Sequence, residues 1–572
     1  MGARVRRAGD RRGGLDLLSV VAALVLLAGI VQVFAGAVRV GVTWDEPTHV
    51  ERTESLLDVG WFVPGWQLDE GEPDDVSPFV YGPAYSMTAH AANLVTGNEE
   101  PGETSGSADA YVVRHLTTAT LGFLTILAVG LMAWTITGSR RAGLFGAAAL
   151  AAIPAWTGHA MFNVKDVPAA AGYTLVTAGL VLALVPAEVG SARRGKLVLA
   201  GVAVALGTFF GVGTRLAFWL PVAASLGSFG VLWLVQGPGG RGRRPAGLLA
   251  VAGGAVAGVA GIVAIYPKVF AQPVTFATDT VTGSTEYPWD SLTLTAGRLL
   301  HSLDLPWWYL PAWFSARMPV LLLLLAVAGL VTAAVWLVRR APGERWWQIP
   351  GPAGGGVLVA QQALLLPLAA MAIDSVMYDG FRQHLYVLPA VAVLVAVGAD
   401  RVRRWSARPD RHPWLRRTSV AVLAIALLVP TVEQALLFPY NYTYVNPVAG
   451  SGGVDGRWET DYWKASGREA VTRVPEDVEL LCSGLVRPSL PEGPYSGPCQ
   501  ADVTTFEHLR GSAAESSAAT STEAEDDTWV IGYRREGNRP PEHCRSVDDV
   551  TRWVRGEQVV MAHVLVCDPD GF

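Results

Sequence analysis

Charged residues are scarce in this sequence. Only 16% of its 572 residues are Asp, Glu, Lys or Arg, whereas 51% are hydrophobic and the mean hydropathy is +0.32. A soluble protein carries about a quarter charged residues. The composition therefore excludes an ordinary soluble protein and predicts a polytopic membrane protein. The net charge of −6 is small and gives no sign of nucleic-acid binding.

Cysteine is also scarce and is confined to one end of the chain. The four cysteines are Cys482, Cys499, Cys544 and Cys567. In an oxidising compartment this even number predicts two disulfides, although three pairings are open and free thiols are the alternative. Strand-like segments at 478–482 and 528–533 predict a small α/β or α+β domain here. The Ser/Ala/Glu-rich segment 511–527 predicts a disordered loop within it.

Long apolar runs fill the first 437 residues. The first run is longer than the apolar core of a signal peptide, so we interpret it as an uncleaved span. Another run of about forty residues exceeds what one helix needs to cross a bilayer, and we divide it near Arg215. The sequence thus predicts an all-α membrane part of eleven spans, at 15–38, 113–136, 142–158, 167–187, 197–213, 216–236, 247–266, 317–338, 355–373, 385–400 and 418–437.

Lys and Arg are concentrated in alternate loops. With a cytoplasmic N-terminus, the Arg-rich loops near 140, 193, 243, 339 and 401–417 all face the cytoplasm, as basic loops do. This predicts a multi-pass plasma-membrane protein whose C-terminus lies outside the cytoplasm. Its transmembrane domain, 1–437, has outer loops at 39–112 and 267–316, and 438–572 forms an extracytoplasmic domain.

Polar residues that are suited to chemistry gather in the predicted outer loops. The candidates are Asp45, Glu46 and Tyr81 in the first loop, Asn163, Lys165 and Asp166 between two spans, Arg215, and Arg382 with His384. Aromatic residues follow the last span, at 438–447 and 458–463. A Lys or Arg in such a place can bind a phosphate. Acids, cations and aromatics on one face of the membrane predict a site there.

Each of these candidates also has a purely structural interpretation. Glu46 precedes Pro47 and suits a helix N-cap, and Lys165 can simply pair with Asp166. Arg215 can reach the membrane interface by extending its side chain, and the aromatic residues can form an interfacial belt. The spans themselves are nearly free of charge, whereas a channel or pump would carry polar groups at mid-membrane.

At these positions the sequence resembles a known group. The segments 43–47 (TWDEP), 163–168 (NVKDVP), 378–384 (YDGFRQH) and 459–463 (ETDYW) are similar to bacterial members of the protein O-mannosyltransferase and aminoarabinose transferase clan, which are GT-C membrane glycosyltransferases. The resemblance covers about 15 to 470 and depends on the set of motifs together. The final hundred residues resemble no family that we can name.

The resemblance implies a polyprenyl-phosphate-linked sugar donor and an extracytoplasmic protein, glycan or lipid acceptor. It implies that Asp45 acts as the base, with Glu46 beside it in a less defined role. It also implies that Lys165 contacts the donor phosphate and that Asp166 belongs to a second acidic motif. Arg215 and Arg382 are added from their own placement, as cations on the same face that can bind an anion. Transfer from a lipid phosphate needs one base and cations for the departing phosphate, and direct attack would invert the sugar.

Three alternatives stay open at this stage. Asp45, Glu46, His49 and His159 are weak candidates for a divalent metal site, because their spacing alone carries little weight. A flippase for lipid-linked sugars would need polar groups within the membrane and often internal repeats, and neither is present in the sequence. A non-catalytic assembly protein of the cell envelope would use the C-terminal domain as its working part.

Overall fold

The structure is a computed structural model. It describes 16–73, 77–185, 191–236, 245–285, 289–339, 348–475, 480–482, 497–498, 528–535, 540 and 544–568. The predicted disordered loop, 511–527, and Cys499 lie outside these residues.

Most of the described chain is helical, as predicted, and nine of its helices are long and apolar enough to cross a membrane. They are α1 (Leu17–Ala37), α4 (Ala108–Thr137), α7 (Asp166–Leu184), α8 (Ser191–Thr214), α9 (Trp219–Val235, preceded by a 3-10 turn from Leu216), α10 (Pro245–Ile265), α13 (Val320–Val338), α14 (Gly351–Ala372) and α16 (Pro413–Leu437).

Two of the eleven predicted spans take another form. The segment 142–158 is divided into α5 (Arg140–Ala151) and α6 (Pro154–His159), because Pro154 begins a new helix where the first ends. The segment 385–400 belongs to α15 (Val387–Ser406), which is buried from Val387 to Asp400 and has arginines in its last turn. Of the eleven predicted spans these two are therefore not among the nine long apolar helices, since one is divided into two short helices and the other is charged at its end.

α15 lies at the centre of the helical part and packs closely on α13. A Cβ atom on Gly329 of α13 would lie 1.9 Å from the carbonyl oxygen of Leu394. Only glycine permits this approach, which is how helices commonly pack inside membranes. The close packing fixes the start of α15, and with it the preceding turn that contains Arg382 and His384.

The two predicted outer loops are ordered by short elements. The first contains α2 (Asp45–Val59), the paired strands β1 (Leu68–Asp69) and β2 (Glu72–Pro73), and α3 (Ala84–Thr96). The second contains α11 (Pro273–Thr285), the antiparallel pair β3 (Leu292–Thr295) and β4 (Arg298–His301), and α12 (Tyr309–Arg317).

The C-terminal part carries α17 (Gly467–Val471) and a five-stranded sheet. Its strands are β5 (Leu480–Cys482), β6 (Gly497–Pro498), β7 (Thr528–Tyr533), β8 (Cys544–Val554) and β9 (Glu557–Cys567). The order is β6-β5-β7-β9-β8; β5 and β7 are parallel, and the other pairs are antiparallel. Cys544 and Cys567 form a disulfide between β8 and β9, so one of the two predicted bridges is confirmed.

The ends of the long helices separate into two polar regions. At one end Arg141 pairs with Asp16, and Arg404 donates to the carbonyl oxygen of Thr137 while pairing with Asp400. Asp45 and Lys165 meet at the opposite end. The fold thus places Arg141 and Arg404, from two of the Arg-rich loops, at the opposite end from the candidate site, and the orientation of the two ends in a cell stays a prediction.

Candidate active site

Two adjacent acids at the start of α2 point in different directions. The backbone N–H and the hydroxyl of Thr43 both donate to Glu46 Oε2, at 2.8 and 2.9 Å, and Nε2 of His115 lies 2.8 Å from Glu46 Oε1. Glu46 is 1% exposed. These contacts join the first turn of α2 to the residue Thr43 before it and to α4, whereas the N-cap position belongs to Trp44, which makes no side-chain cap hydrogen bond. Glu46 therefore has a structural role at the start of α2, although not as its N-cap, and a catalytic part for it stays a prediction.

Asp45 instead faces Lys165, which lies just before α7. Lys165 Nζ is 2.6 Å from Asp45 Oδ2 and 3.4 Å from the hydroxyl of Tyr81. The side chain of Asp45 is 29% exposed, whereas that of Lys165 is 5% exposed. The carboxylate therefore forms the accessible side of this ion pair, where a substrate can reach it.

Neighbouring cations keep Asp45 ionised. Burial raises the pKa of Asp45, but Lys165 and Arg382 outweigh that effect and hold the pKa below its ordinary range. Lys165 and Arg215 likewise lower the pKa of Tyr81 against the effect of burial. Both shifts have one cause, a strongly positive potential around Tyr81. Arg52 adds to it, since its guanidinium carbon lies 4.8 Å from the centre of the Tyr81 ring.

Asp166 holds two arginines that are far apart in the sequence. Arg215 binds Asp166 Oδ1, and a terminal nitrogen of Arg382 lies 3.4 Å from Oδ2. Asn163 supports the carboxylate, because its Nδ2 donates to Oδ2 at 3.0 Å and its Oδ1 accepts from the Asp166 backbone N–H at 2.9 Å. The sequence neighbours Lys165 and Asp166 thus bind different partners, and the simple pairing between them is not what the structure contains.

Arg382 has the most extensive contacts of the predicted cations. Its guanidinium carbon lies 4.7 Å from the ring centre of Tyr378 and 4.6 Å from that of Trp463, and its Nε donates to Asp379 at 3.0 Å. Burial lowers the pKa of Arg382, but Asp379 together with Tyr378 raises it well above its ordinary value. Arg382 is therefore a fixed positive charge in an oriented position.

The two histidines considered for metal binding are not assembled into a metal site. His49 lies beside Tyr81, with ring centres 5.5 Å apart, and its pKa is lowered to about 3 by burial and by Arg52. His159 is 3.0 Å from Asn163 Nδ2 and 3.1 Å from the Tyr462 hydroxyl through its two ring nitrogens. Across the ranges that the structure describes, no three His, Cys, Asp or Glu side chains are grouped to hold a metal ion.

His384 faces an apolar cavity beside the cationic cluster. The cavity measures about 240 Å³ and lies between α12, α13, α14 and α15, where it is lined by Phe314, Leu330, Pro367, Val391 and other apolar residues. Burial lowers the pKa of His384 to about 4, so the ring is neutral at physiological pH. One short turn, Arg382–His384, thus joins a fixed cation to an apolar cavity within the helical part.

Two further residues at the site escaped sequence reasoning. Asp379 lies within the segment 378–384 that the sequence analysis singled out, and its φ of 53° is typical of an Asp-Gly turn. The sequence pattern did not indicate which cation the Asp379 carboxylate binds. Arg535 follows β7 in the C-terminal sheet, and its Nε and Nη2 lie 3.1 and 3.0 Å from the two Asp379 oxygens. No signal in the sequence joins positions 156 residues apart.

Comparison with known proteins gives structural similarity only. No protein-family model and no curated protein sequence matches the chain. Among solved structures, ArnT from Cupriavidus metallidurans bound to undecaprenyl phosphate shares 15% identity at a TM-score of 0.47, covering 96% of this chain and 98% of that one. The Archaeoglobus fulgidus oligosaccharyltransferase in its apo form shares 12% identity at a TM-score of 0.46, covering 90% of this chain and 69% of that one.

Proposed function

We propose that this protein is a membrane glycosyltransferase of the GT-C type. It transfers a sugar from a polyprenyl-phosphate-linked donor to an acceptor hydroxyl outside the cytoplasm, with Asp45 as the base. The observation that carries this proposal is that Lys165, Arg215 and Arg382, from three separate loops, form one cluster with two carboxylates, the accessible Asp45 and the buried Asp166. Fixed cations beside a base are what transfer from a phosphate requires.

The charges of the cluster suit a phosphate donor. Four cations (Lys165, Arg215, Arg382 and Arg535) pair with three carboxylates (Asp45, Asp166 and Asp379), which leaves an excess of one positive charge among these seven residues. A sugar linked through a phosphodiester carries one negative charge and balances it. The released polyprenyl phosphate carries close to two, as other phosphate monoesters do at neutral pH.

The net charge of the cluster and the phosphate together is the same after the reaction. The acceptor oxygen attacks the anomeric carbon, its proton passes to Asp45, and the bond from that carbon to the phosphate oxygen breaks with its electron pair remaining on the phosphate. Asp45 loses a negative charge as the phosphate gains one. Because the acceptor attacks opposite the leaving phosphate, the anomeric configuration inverts.

Lys165 is placed to follow this movement of charge. In the structure its Nζ binds Asp45, which keeps the pKa of Asp45 low and makes it a weak base. When a donor phosphate binds, Lys165 turns toward it and Asp45 loses its closest cation. The pKa of the Asp45 carboxyl then rises, so the base becomes stronger once the donor is in place.

The remaining predicted residues have roles around this centre. Asp166 and Asn163 hold the two arginines, Tyr81 borders the ion pair, and the apolar cavity beside His384 accommodates the first isoprene units of the lipid. The protein acts in the plasma membrane, with its N-terminus in the cytoplasm and with the site and 438–572 outside. The residues of the site supply the base and the phosphate contacts themselves.

A donor panel tests this proposal. Purified protein in proteoliposomes is offered polyprenyl-phosphate mannose, arabinose and related sugars with mixed acceptors, and products are identified by mass spectrometry and by NMR of the anomeric proton. We expect release of polyprenyl phosphate with formation of an inverted glycoside. Movement of a donor across the bilayer without sugar transfer to any acceptor would overturn the proposal in favour of a flippase.

A further inference from the structure

The end of β7 reaches from the C-terminal sheet to the candidate site. Tyr533 packs edge-on against Trp44, the neighbour of Asp45, with ring centres 5.7 Å apart. Lys464 Nζ lies 5.0 Å from the ring centre of Trp44 and 5.6 Å from that of Tyr533. The sheet therefore contacts the segment that carries the proposed base, two residues before Arg535.

Arg535 is bound to the carboxylate that also holds Arg382. Its Nε and Nη2 contact both oxygens of Asp379, at 3.1 and 3.0 Å, in the bidentate geometry that gives the strongest ion pairs. Asp379 Oδ2 in turn accepts from Arg382 at 3.0 Å. All three side chains are at most 12% exposed. Asp379 is therefore shared between one arginine from each part of the protein.

A stack of aromatic rings reinforces the same connection. The guanidinium carbon of Arg535 lies 5.2 Å from the ring centre of Trp289, and Trp289 stacks on Tyr378 with ring centres 5.1 Å apart and planes 27° apart. Arg382 lies on the Tyr378 ring at 4.7 Å. Arg535 and Arg382 are thus connected twice, through a carboxylate and through two stacked rings, each cation resting on a π face.

We propose that Arg535 is a positioning residue for the donor phosphate, acting through Asp379 on Arg382. Arg535 neutralises much of the charge of Asp379, which would otherwise draw the Arg382 guanidinium toward itself. Arg382 then keeps a donor nitrogen directed at the phosphate. The C-terminal sheet is on this account a part of the catalytic site. This inference rests on the function proposed above.

The chain offers a closely matched control for a test. Arg534 precedes Arg535 in the same segment and has the same side-chain exposure, 12%, but it pairs with Asp455 at 2.5 Å and approaches His563 at 3.4 Å. Neither of these contacts belongs to the site. Replacing each arginine by glutamine removes one charge at the same depth in the same domain.

The test measures polyprenyl phosphate binding by the full-length protein in nanodiscs. We expect Arg535→Gln to raise the Kd roughly tenfold. A change of this size lies within the range of interaction free energies between side chains in one ion-pair network. Arg534→Gln should leave the Kd unchanged. In the transfer assay Arg535→Gln should raise the donor KM more than it lowers kcat. Arg535→Lys keeps the positive charge but cannot bind Asp379 in the bidentate geometry, so it should recover part of the lost affinity.

A double-mutant cycle separates action through Asp379 from general damage. If Arg535 acts through that carboxylate, then Arg535→Gln changes the Kd by less than about twofold in an Asp379→Asn background. An equal change in both backgrounds would overturn the inference, as would an unchanged Kd in Arg535→Gln alone. Wild-type protein that binds no polyprenyl phosphate would instead overturn the proposed function, and this inference with it. If Arg535→Gln does not fold, Arg535→Lys is used in the same cycle.

Discussion

Replacing Lys165 by methionine tests the ion pair at the centre of the site. Methionine keeps most of the length and the apolar stem of lysine but removes the charge that lies 2.6 Å from Asp45. Two unit charges about 4 Å apart interact by about 4 kcal/mol at an effective dielectric constant near 20. Truncating one member of a buried charge pair costs about 2–5 kcal/mol in measured interfaces. For transition-state stabilisation we expect a loss of about 2–4 kcal/mol, so kcat/KM should fall roughly 30- to 1000-fold.

The same substitution should change the pH dependence. In the wild type Lys165 and Arg382 hold the pKa of Asp45 below its ordinary range, so the base stays ionised from weakly acidic to neutral pH. Without Lys165 the effect of burial gains weight, the pKa rises, and the carboxyl becomes protonated as the pH falls. The variant should therefore lose kcat/KM at a higher pH than the wild type does.

Initial rates of sugar transfer between about pH 5 and pH 8 provide the assay for both effects. Lys268→Met is the matched control, because Lys268 lies in the second of the two predicted outer loops but is 39% exposed and pairs only loosely with Glu72, at 3.6 Å. It should retain wild-type rates and a wild-type pH profile. Wild-type activity in Lys165→Met, or a fall in rate without any shift of the acid limb, would refute the assigned role of the ion pair.

Three further substitutions examine separate parts of the account. Asp166→Asn removes the charge that two arginines share, so the donor KM should rise at least about tenfold in steady-state assays, and an unchanged KM would contradict its proposed role. Glu46→Gln weakens the contacts of α2 with Thr43 and His115, so thermal unfolding should show a loss of about 1–3 kcal/mol while kcat/KM falls far less than in Asp45→Asn; an equal fall would give Glu46 a part in the chemistry. Cys544→Ser opens a loop of 23 residues, so the C-terminal domain should lose about 3 kcal/mol in denaturant unfolding, and unchanged stability would contradict a structural bridge.

Much of the helical architecture follows from local patterns. Nine apolar runs of spanning length became helices that fit a membrane, because hydrophobic length is a property of each segment by itself. The break at Pro154 was also visible, as proline begins a helix but cannot continue one, yet the apolar run around it suggested a single span. Local composition thus predicts where apolar segments lie more reliably than whether each crosses as one helix.

The sequence predicted which residues lie at the site, but it did not predict which of them pair with each other. The alternation of basic loops placed Asp45, Lys165, Arg215 and Arg382 on one face, and the structure brings them into one cluster. Which acid meets which cation depends on packing between distant segments. The neighbours Asp45 and Glu46 point apart because Glu46 contacts Thr43 and the distant His115. The sequence does not show which of the two acids makes those contacts.

The contribution of the C-terminal sheet lay beyond sequence reasoning for a physical reason. Residues after β7 reach the site only because the sheet packs against the segments that carry Trp44, Trp289 and Asp379, and such packing depends on the shapes of both parts. Arg534 and Arg535 are chemically identical neighbours, yet Arg535 pairs with Asp379 at the site whereas Arg534 pairs with Asp455. Only the three-dimensional arrangement distinguishes them.

The most direct test of the central claim is sugar transfer by Asp45→Asn in proteoliposomes. Asparagine keeps the shape of the side chain and removes the proton acceptor, and a lost general base lowers rates about 10²- to 10⁴-fold. Asp58→Asn, an exposed position of the same helix, is the control. The account predicts that Asp45→Asn inserts normally and binds polyprenyl phosphate but transfers no measurable sugar, while Asp58→Asn transfers at the wild-type rate. Transfer by Asp45→Asn at the wild-type rate would contradict it.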